Sequence, residues 1–198
     1  LLLFFKKEGL SVLTPKIARI PHIGLLRAVN VGRANRIAMS DVRAIVEALG
    51  YTGVRTLLNS GNVIFEAPRG AAPKAAAAVE AALTRHAINT RVVVVTAAAL
   101  RDILALHPFP DLVTDPARLL VALFAGGAAP PRVAPLAERD WDPDQLALVE
   151  GAAFLWCATG IHDGVLQKAF SRAAGDTATA RNWTTMTQLV ALAAQTGG

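Results

Sequence analysis

The chain has 198 residues, of which 53% are hydrophobic and 18% charged, with a net charge of +5. So high an apolar fraction with so small a net charge excludes a disordered chain, and a single cysteine, Cys157, excludes a disulfide scaffold. The length suits one domain, or two small ones packed together.

Residues 1–20 open with Leu1-Leu2-Leu3-Phe4-Phe5 and then Lys6-Lys7. A signal peptide places its positive charge before a longer apolar run. The segment therefore reads as a poorly ordered N-terminal extension. Lys6, Lys7, Lys16 and Arg19 against Glu8 give it more than half of the net charge. The remainder lacks the dense basic stripe of a nucleic-acid binder. No stretch approaches the roughly 20 apolar residues that cross a bilayer. A soluble protein of the cytoplasm is expected, with no membrane partner.

The regular pattern starts at His22. His22 to Val29 is a mostly apolar first strand, followed by a polar loop from Asn30 to Ala38. Ser40 is placed to cap a helix. Val42, Ile45, Val46 and Leu49 then share one helical face, and Gly50 ends that helix in the left-handed region. Val54 to Leu58 and Val63 to Glu66 are strands joined by the tight turn Asn59-Ser60-Gly61-Asn62. Lys74 to His86 is a helix on alanine propensity, and Arg91 to Val95 a β-branched fourth strand. The order β-α-β-β-α-β is the split β-α-β, or ferredoxin-like, pattern.

From residue 97 the order recurs in degraded form. Thr96 caps a helix that runs to Leu106 and stops before Pro108. Arg118 to Ala125 is a strand, and a short helical turn falls near Leu136. Gln145 to Val149 and Ala153 to Thr159 form a hairpin across Glu150-Gly151. Val165 to Ala174 and Thr184 to Gln195 are helices. The expected fold is α+β, with two ferredoxin-like halves (21–96 and 97–198) packed together.

Most familiar chemistry is missing. His22, His86, His107 and His162 include no i, i+4 pair, and one cysteine allows no C-x-x-C, so no metal site is expected. Neither common glycine-rich nucleotide cradle is present, nor a G-x-S-x-G elbow, and no cofactor is expected. Cys157 lies in an apolar strand and reads as a buried structural thiol. The candidate strands offer only Phe65 for stacking bases, so nucleic acid is not an expected partner.

Three polar clusters remain. Arg27, Asn30, Gly32, Arg33, Asn35 and Arg36 follow the first strand; such a loop accepts an anion through guanidinium forks and backbone N–H groups. The plainer reading is a shaped loop with solvated arginines. Asn59, Ser60, Gly61 and Asn62 suit a simple hairpin turn. Arg181-Asn182-Trp183 precedes the last helix, where Asn182 or Thr184 serves as cap and Arg181 suits an anion seat.

The run Leu25-Leu26-Arg27-Ala28-Val29-Asn30-Val31-Gly32, the helix Met39 to Leu49 and Asn59-Ser60-Gly61-Asn62-Val63 resemble a bacterial family known only as domain of unknown function 1697. Pro108-Phe109 and Ala178-Thr179-Ala180-Arg181-Asn182-Trp183-Thr184 resemble it too, so the likeness runs over residues 22–194. The resemblance implies an α+β protein of two ferredoxin-like halves and carries no established activity. Its patterned positions are Arg27, Asn30, Gly32, Asn59, Ser60, Gly61, Asn62, Arg181, Asn182 and Trp183. This chain departs from it at Ala28 and Arg33, where the family usually has glycine, and at Gly164-Val165, where it often has Ser-Lys.

The leading expectation is a binding protein for a phosphorylated or other anionic small molecule. Its candidate site is Arg27, Asn30, Gly32, Arg33, Asn59, Ser60, Asn62, Arg181, Asn182 and Trp183. Two rivals stand beside it. One is an enzyme of unrecognised class, with His162 and Asp163 as its best acid–base pair. The other is a structural or partner-binding module, in which the Asn and Arg residues serve internal hydrogen bonds.

Overall fold

Alternation along the strands sorts the apolar side chains into three cores. The structure, a computed structural model, describes residues 18–32, 35–112, 114–161 and 164–195. The first sheet holds β1 (Arg19–Leu26), β2 (Thr52–Leu57), β3 (Asn62–Pro68) and β4 (Val92–Thr96) in the order β2-β3-β1-β4. Helices α1 (Met39–Ala48) and α2 (Ala72–Arg85) connect these strands. The second sheet holds β5 (Leu119–Phe124), β6 (Gln145–Val149), β7 (Ala152–Trp156) and β8 (Ala178–Asn182) in the order β6-β7-β5-β8. Each sheet is antiparallel throughout. In each, the first strand lies between the third and the fourth, the split β-α-β arrangement. The four-residue α4 (Ala134–Ala137) stands where α1 stands in the first sheet, and α5 (Val165–Ala174) stands where α2 does.

Two further helices, α3 (Ala97–Ala105) and α6 (Trp183–Ala194), fill the space between the sheets. Ile23 and Leu25 of β1 face them from one side. Val121, Leu123 and Phe154 face them from the other, around Leu100, Met186 and Leu189. On the outer face of the first sheet, Leu26, Val63 and Phe65 pack under α1 and α2. On the outer face of the second, Leu120, Phe124 and Leu155 pack under α5. The layers run helices, sheet, helices, sheet, helices. Each fully buried Leu or Phe side chain in them contributes about 1.5–3 kcal/mol.

Local chemistry explains most boundaries. Val92 to Val95 are four β-branched residues in a row, and they form most of β4. In α2, Ala75, Val79, Ala82 and Leu83 share the buried face, with Pro73 in the first turn. Thr96 caps α3 by accepting from Ala99 N. Gly50 follows α1 at φ +84°.

Several expectations need correction. Strand β1 lies three residues earlier than expected, because the chain turns at Ala28 (φ +52°) and Asn30 (φ +57°). Arg19 and Ile20, expected in the extension, pair with Pro68 and Ala67. Residues 1–17 lie outside the described residues. Ser40 does not cap α1: the helix starts at Met39, and Ala38 holds the cap position without a side-chain bond. Residues 178–182 form a strand that was not foreseen, since Ala-Thr-Ala-Arg-Asn has no apolar run; pairing with β5 decides it. Helix α6 starts at Trp183, one residue early, and Asn182 is its cap.

Candidate functional site

The ends of β1 and β8 meet the turn between β2 and β3 where the two sheets adjoin. Asn30 organises the loop after β1. Its side chain donates to Ile37 O at 2.9 Å and to Asn59 O at 2.8 Å, and accepts from Ile37 N at 2.9 Å. That clamp sets the approach to α1, the task expected of Ser40, and ties the loop to the turn. Asn35 makes a second clamp with the backbone of Asn89. Arg36 reaches Gly32 O at 3.2 Å on the exposed side of the loop. Arg33 and the His162–Asp163 pair lie outside the described residues. The glycine that the family usually places at position 28 would meet the positive φ of Ala28 without a Cβ.

Asn62 is fully buried at the start of β3. Its amide donates to Leu57 O at 2.8 Å and Ser60 Oγ at 3.0 Å. Its carbonyl accepts from Arg181 Nε at 2.6 Å. The other nitrogens of Arg181 donate to Leu26 O, Ser60 O, Gly61 O and Ala180 O, at 2.6–3.3 Å. One arginine of the second sheet thus binds the strand end and the turn of the first. Burial lowers its pKa to about 10, so it stays charged at neutral pH. No carboxylate pairs with it among the described residues.

Asn182 and Trp183 stand apart from this cluster. Asn182 Oδ1 accepts from Thr185 N at 2.9 Å, an N-cap. The Trp183 ring lies 4.7 Å from His107 and 6.5 Å from Phe154.

Arg27 differs from Arg181. Its backbone is held, with N donating to Arg91 O at 2.9 Å and O accepting from Thr90 Oγ1 at 2.7 Å. Its Nε is buried and has no hydrogen-bond partner among the described residues. The side chain stands on the wall of two cavities. The smaller, about 170 Å³, is lined by Arg27, Gln167, Ser171, Thr179 and Arg181, with Leu120 and Phe170 among its apolar walls. Thr179 Oγ1 is also buried without a partner. The larger, about 620 Å³, adds Thr84, Asn89, Thr90 and Arg91. There Arg91 pairs with Asp176 at 3.1 Å and with Glu80 at 3.5 Å. The hydrogen bond and charge of Arg91, with a smaller effect from Arg27, hold the Asp176 carboxyl below its usual range.

Thr179 fell within the closing motif of the sequence without being singled out. Gln167 and Ser171, one turn apart on α5, carry no local signal at all. Gly164 caps α5 without a side-chain bond, and Val165 is 74% exposed.

Cys157 follows β7 and is fully buried. Burial, and then the charge of Asp144, push its thiol up to about 11. At pH 8 the thiolate is scarce and shielded, so a disulfide-exchange reagent should leave the native protein unlabelled and react at once after denaturation. Immediate full labelling of the native protein would contradict the buried placement. Among the described residues no group of three or more His, Cys, Asp or Glu side chains is arranged to hold a metal. None of the described helices is long and apolar enough to cross a membrane.

Residues 20–154 match the family described as Protein of unknown function (DUF1697). No curated protein matches the chain. Among solved structures it is similar to the conserved bacterial protein SP0830 from Streptococcus pneumoniae, at 19% identity and a TM-score of 0.68. The similarity covers 89% of this chain and 99% of that one, and it bears on the fold alone.

Proposed function

The chain belongs to the DUF1697 family, and from that starting point we propose that it binds a small anionic molecule where the two sheets meet, with Arg27 as the receiving charge. The observation that carries this reading is the Arg27 guanidinium, whose buried Nε has no partner while the side chain lines both cavities. Buried donors are ordinarily satisfied, and a guanidinium suits carboxylate or phosphate.

The expected site residues then divide by task. Asn30, Asn59, Ser60, Asn62 and Arg181 hold the wall in place through the bonds described above. Asn182 and Trp183 anchor α6. Gly32 lies on the exposed side of the loop. Contact with the ligand falls to Arg27, joined by Ser171 and Gln167. The smaller cavity's lining includes no carboxylate or imidazole, whereas the larger one includes Glu80 and Asp176. The single buried cysteine suits a reducing, cytoplasmic setting.

A thermal-shift comparison of wild type and Arg27→Met tests this with inorganic phosphate, sulfate and acetate against a chloride control. A ligand at about 100 times its dissociation constant adds roughly 2.7 kcal/mol. Wild type should gain that stabilisation from at least one anion, and Arg27→Met should gain none. The ligand-free melting temperatures should be close, since the guanidinium makes no hydrogen bond among the described residues. No anion effect beyond chloride, or an equal effect in both proteins, would overturn the proposal.

A further inference from the structure

Apart from the anion site, we infer that the free edge of β6 receives an extended, basic segment of a partner protein, which joins the four-stranded second sheet as a further strand. Two observations carry this: an open row of backbone groups and the charge around it. The row follows from the pairing of β7. Gly151 O accepts from Phe124 N at 3.3 Å, and Cys157 N donates to Arg118 O at 3.0 Å. Residues 151, 153, 155 and 157 therefore turn their backbone groups toward β5. Ala152, Phe154 and Trp156 bond to β6 instead, where they oppose Val149, Ala147 and Gln145. Alternate residues of an antiparallel strand point opposite ways. The N–H and C=O of Leu146 and Leu148 thus point away from the sheet, and none of these groups has a partner among the described residues.

The other sheet edges differ. Strand β2 carries a bulge between Thr52 and Arg55, with Gly53 at φ +60°, and a bulge breaks the row that a further strand needs. Strands β4 and β8 adjoin each other where the sheets meet. Strand β6 pairs without a register shift. It holds no Lys or Pro, the residues that commonly protect an edge. Leu136 and Trp141 pack with Leu146 and Leu148 in the outer core of the second sheet, which steadies the strand and leaves its edge unpaired. Such an edge takes up an extended peptide through main-chain bonds.

Charge selects the occupant. Glu138, Asp140 and Asp142 precede the strand and Glu150 follows it. All four are exposed, and none forms an ion pair among the described residues. The basic residue among them, Arg139, lies over the Trp141 ring at 4.4 Å. An incoming strand with Lys or Arg at its ends meets carboxylates before and after β6. A second copy of this chain does not. Paired so that every free group of both strands bonds, Leu146 of one copy opposes Leu148 of the other. Glu150 then faces Asp144 across the new pair, next to Asp142. Like charges placed directly opposite disfavour pairing.

Amide hydrogen exchange of the full chain, read by NMR, tests the inference with two capped peptides. One is Lys-Lys-Thr-Val-Thr-Val-Thr-Lys-Lys, and the other carries Glu at each Lys. In dilute protein alone, the amides of Leu146 and Leu148 should exchange at least about tenfold faster than those of Ala147 and Val149. The Lys peptide should slow them to the rate of their neighbours. At low salt it should bind at least about tenfold more tightly than the Glu peptide. Asp142→Asn combined with Glu150→Gln should weaken the Lys peptide about three- to tenfold and leave the melting temperature unchanged. Leu146 and Leu148 amides as protected as their neighbours in dilute protein alone would show a closed edge and overturn the inference. Protection that rises with protein concentration alone would place a second copy there and overturn the basic partner. Equal binding of the two peptides, unchanged affinity in the double variant, or no slowing by the Lys peptide would overturn it as well. None of these outcomes bears on the anion reading at Arg27.

Discussion

Replacing Arg181 by methionine is expected to lower the unfolding free energy by about 3 kcal/mol. Methionine keeps the apolar stem and removes every donor. Leu26 O, Ser60 O, Gly61 O and Asn62 Oδ1 lose their bonds to the second sheet in one step. Orphaning a buried acceptor costs about 1–3 kcal/mol. Removing a charge that burial disfavours, as its lowered pKa of about 10 indicates, offsets part of this. The acceptors outnumber the charge, so the loss wins. Urea denaturation of both proteins reads the difference directly. A loss under about 1 kcal/mol would mean that the sheets are held together by the central helices alone.

The second large effect is expected at Gly61. Its φ is +79°, which disfavours any side chain by about 1–2 kcal/mol. A Cβ there would also collide with Val29 Cγ2 and lie 2.8 Å from Leu26 Cβ and 3.3 Å from Leu26 O. Val29 and Leu26 are buried in the core under α1 and α2, so neither yields freely. Overpacking of this kind adds about 1–3 kcal/mol, and Gly61→Ala should cost about 2–5 kcal/mol in all. Gly50→Ala is the control. Its φ is +84°, yet a Cβ would meet nothing within 4 Å. It should lose only the conformational part. Equal losses at the two positions would show that the collision at Gly61 is absorbed by movement of its neighbours.

These two residues illustrate what a linear reading reaches and what it misses. The turn at 59–62 was legible, because Gly61 marks positive φ locally, whereas the positive φ of Leu58 beside it has no such mark. The packing of Gly61 against Leu26 and Val29 was not, because it depends on β1 and β3 lying side by side. Likewise the helix Val165–Ala174 and the cap at Thr96 were legible from periodicity and capping chemistry. Strand β8 was not, since it is edge pairing with β5, rather than its own side chains, that makes it a strand.

The site shows the same division. Arg27, Asn30, Asn62 and Arg181 stood out as polar residues at element ends, and the structure brings all four to one place. Their tasks were not readable from spacing. Arg181 reaches acceptors some 120 residues away and more, and no local pattern distinguishes that bond from an exposed guanidinium awaiting an anion. Thr179 pairs with Leu123 and Arg181 with Val121 on β5, which puts both on the sheet face toward the central helices, opposite the face that α5 covers. Gln167 and Ser171 arrive from α5, whose sequence reads as an ordinary amphipathic helix.

The most direct measurement is the proton–nitrogen NMR spectrum of the arginine Nε–H groups during titration with inorganic phosphate. The Arg27 signal, assigned by its loss in Arg27→Met, should shift saturably as the phosphate takes its unpartnered donor. The Arg181 Nε–H, already bonded to Asn62 at 2.6 Å, should retain that bond and move much less. An Arg27 signal that stays in place through the titration, with wild type and Arg27→Met responding alike, would contradict the claim that this guanidinium receives an anion.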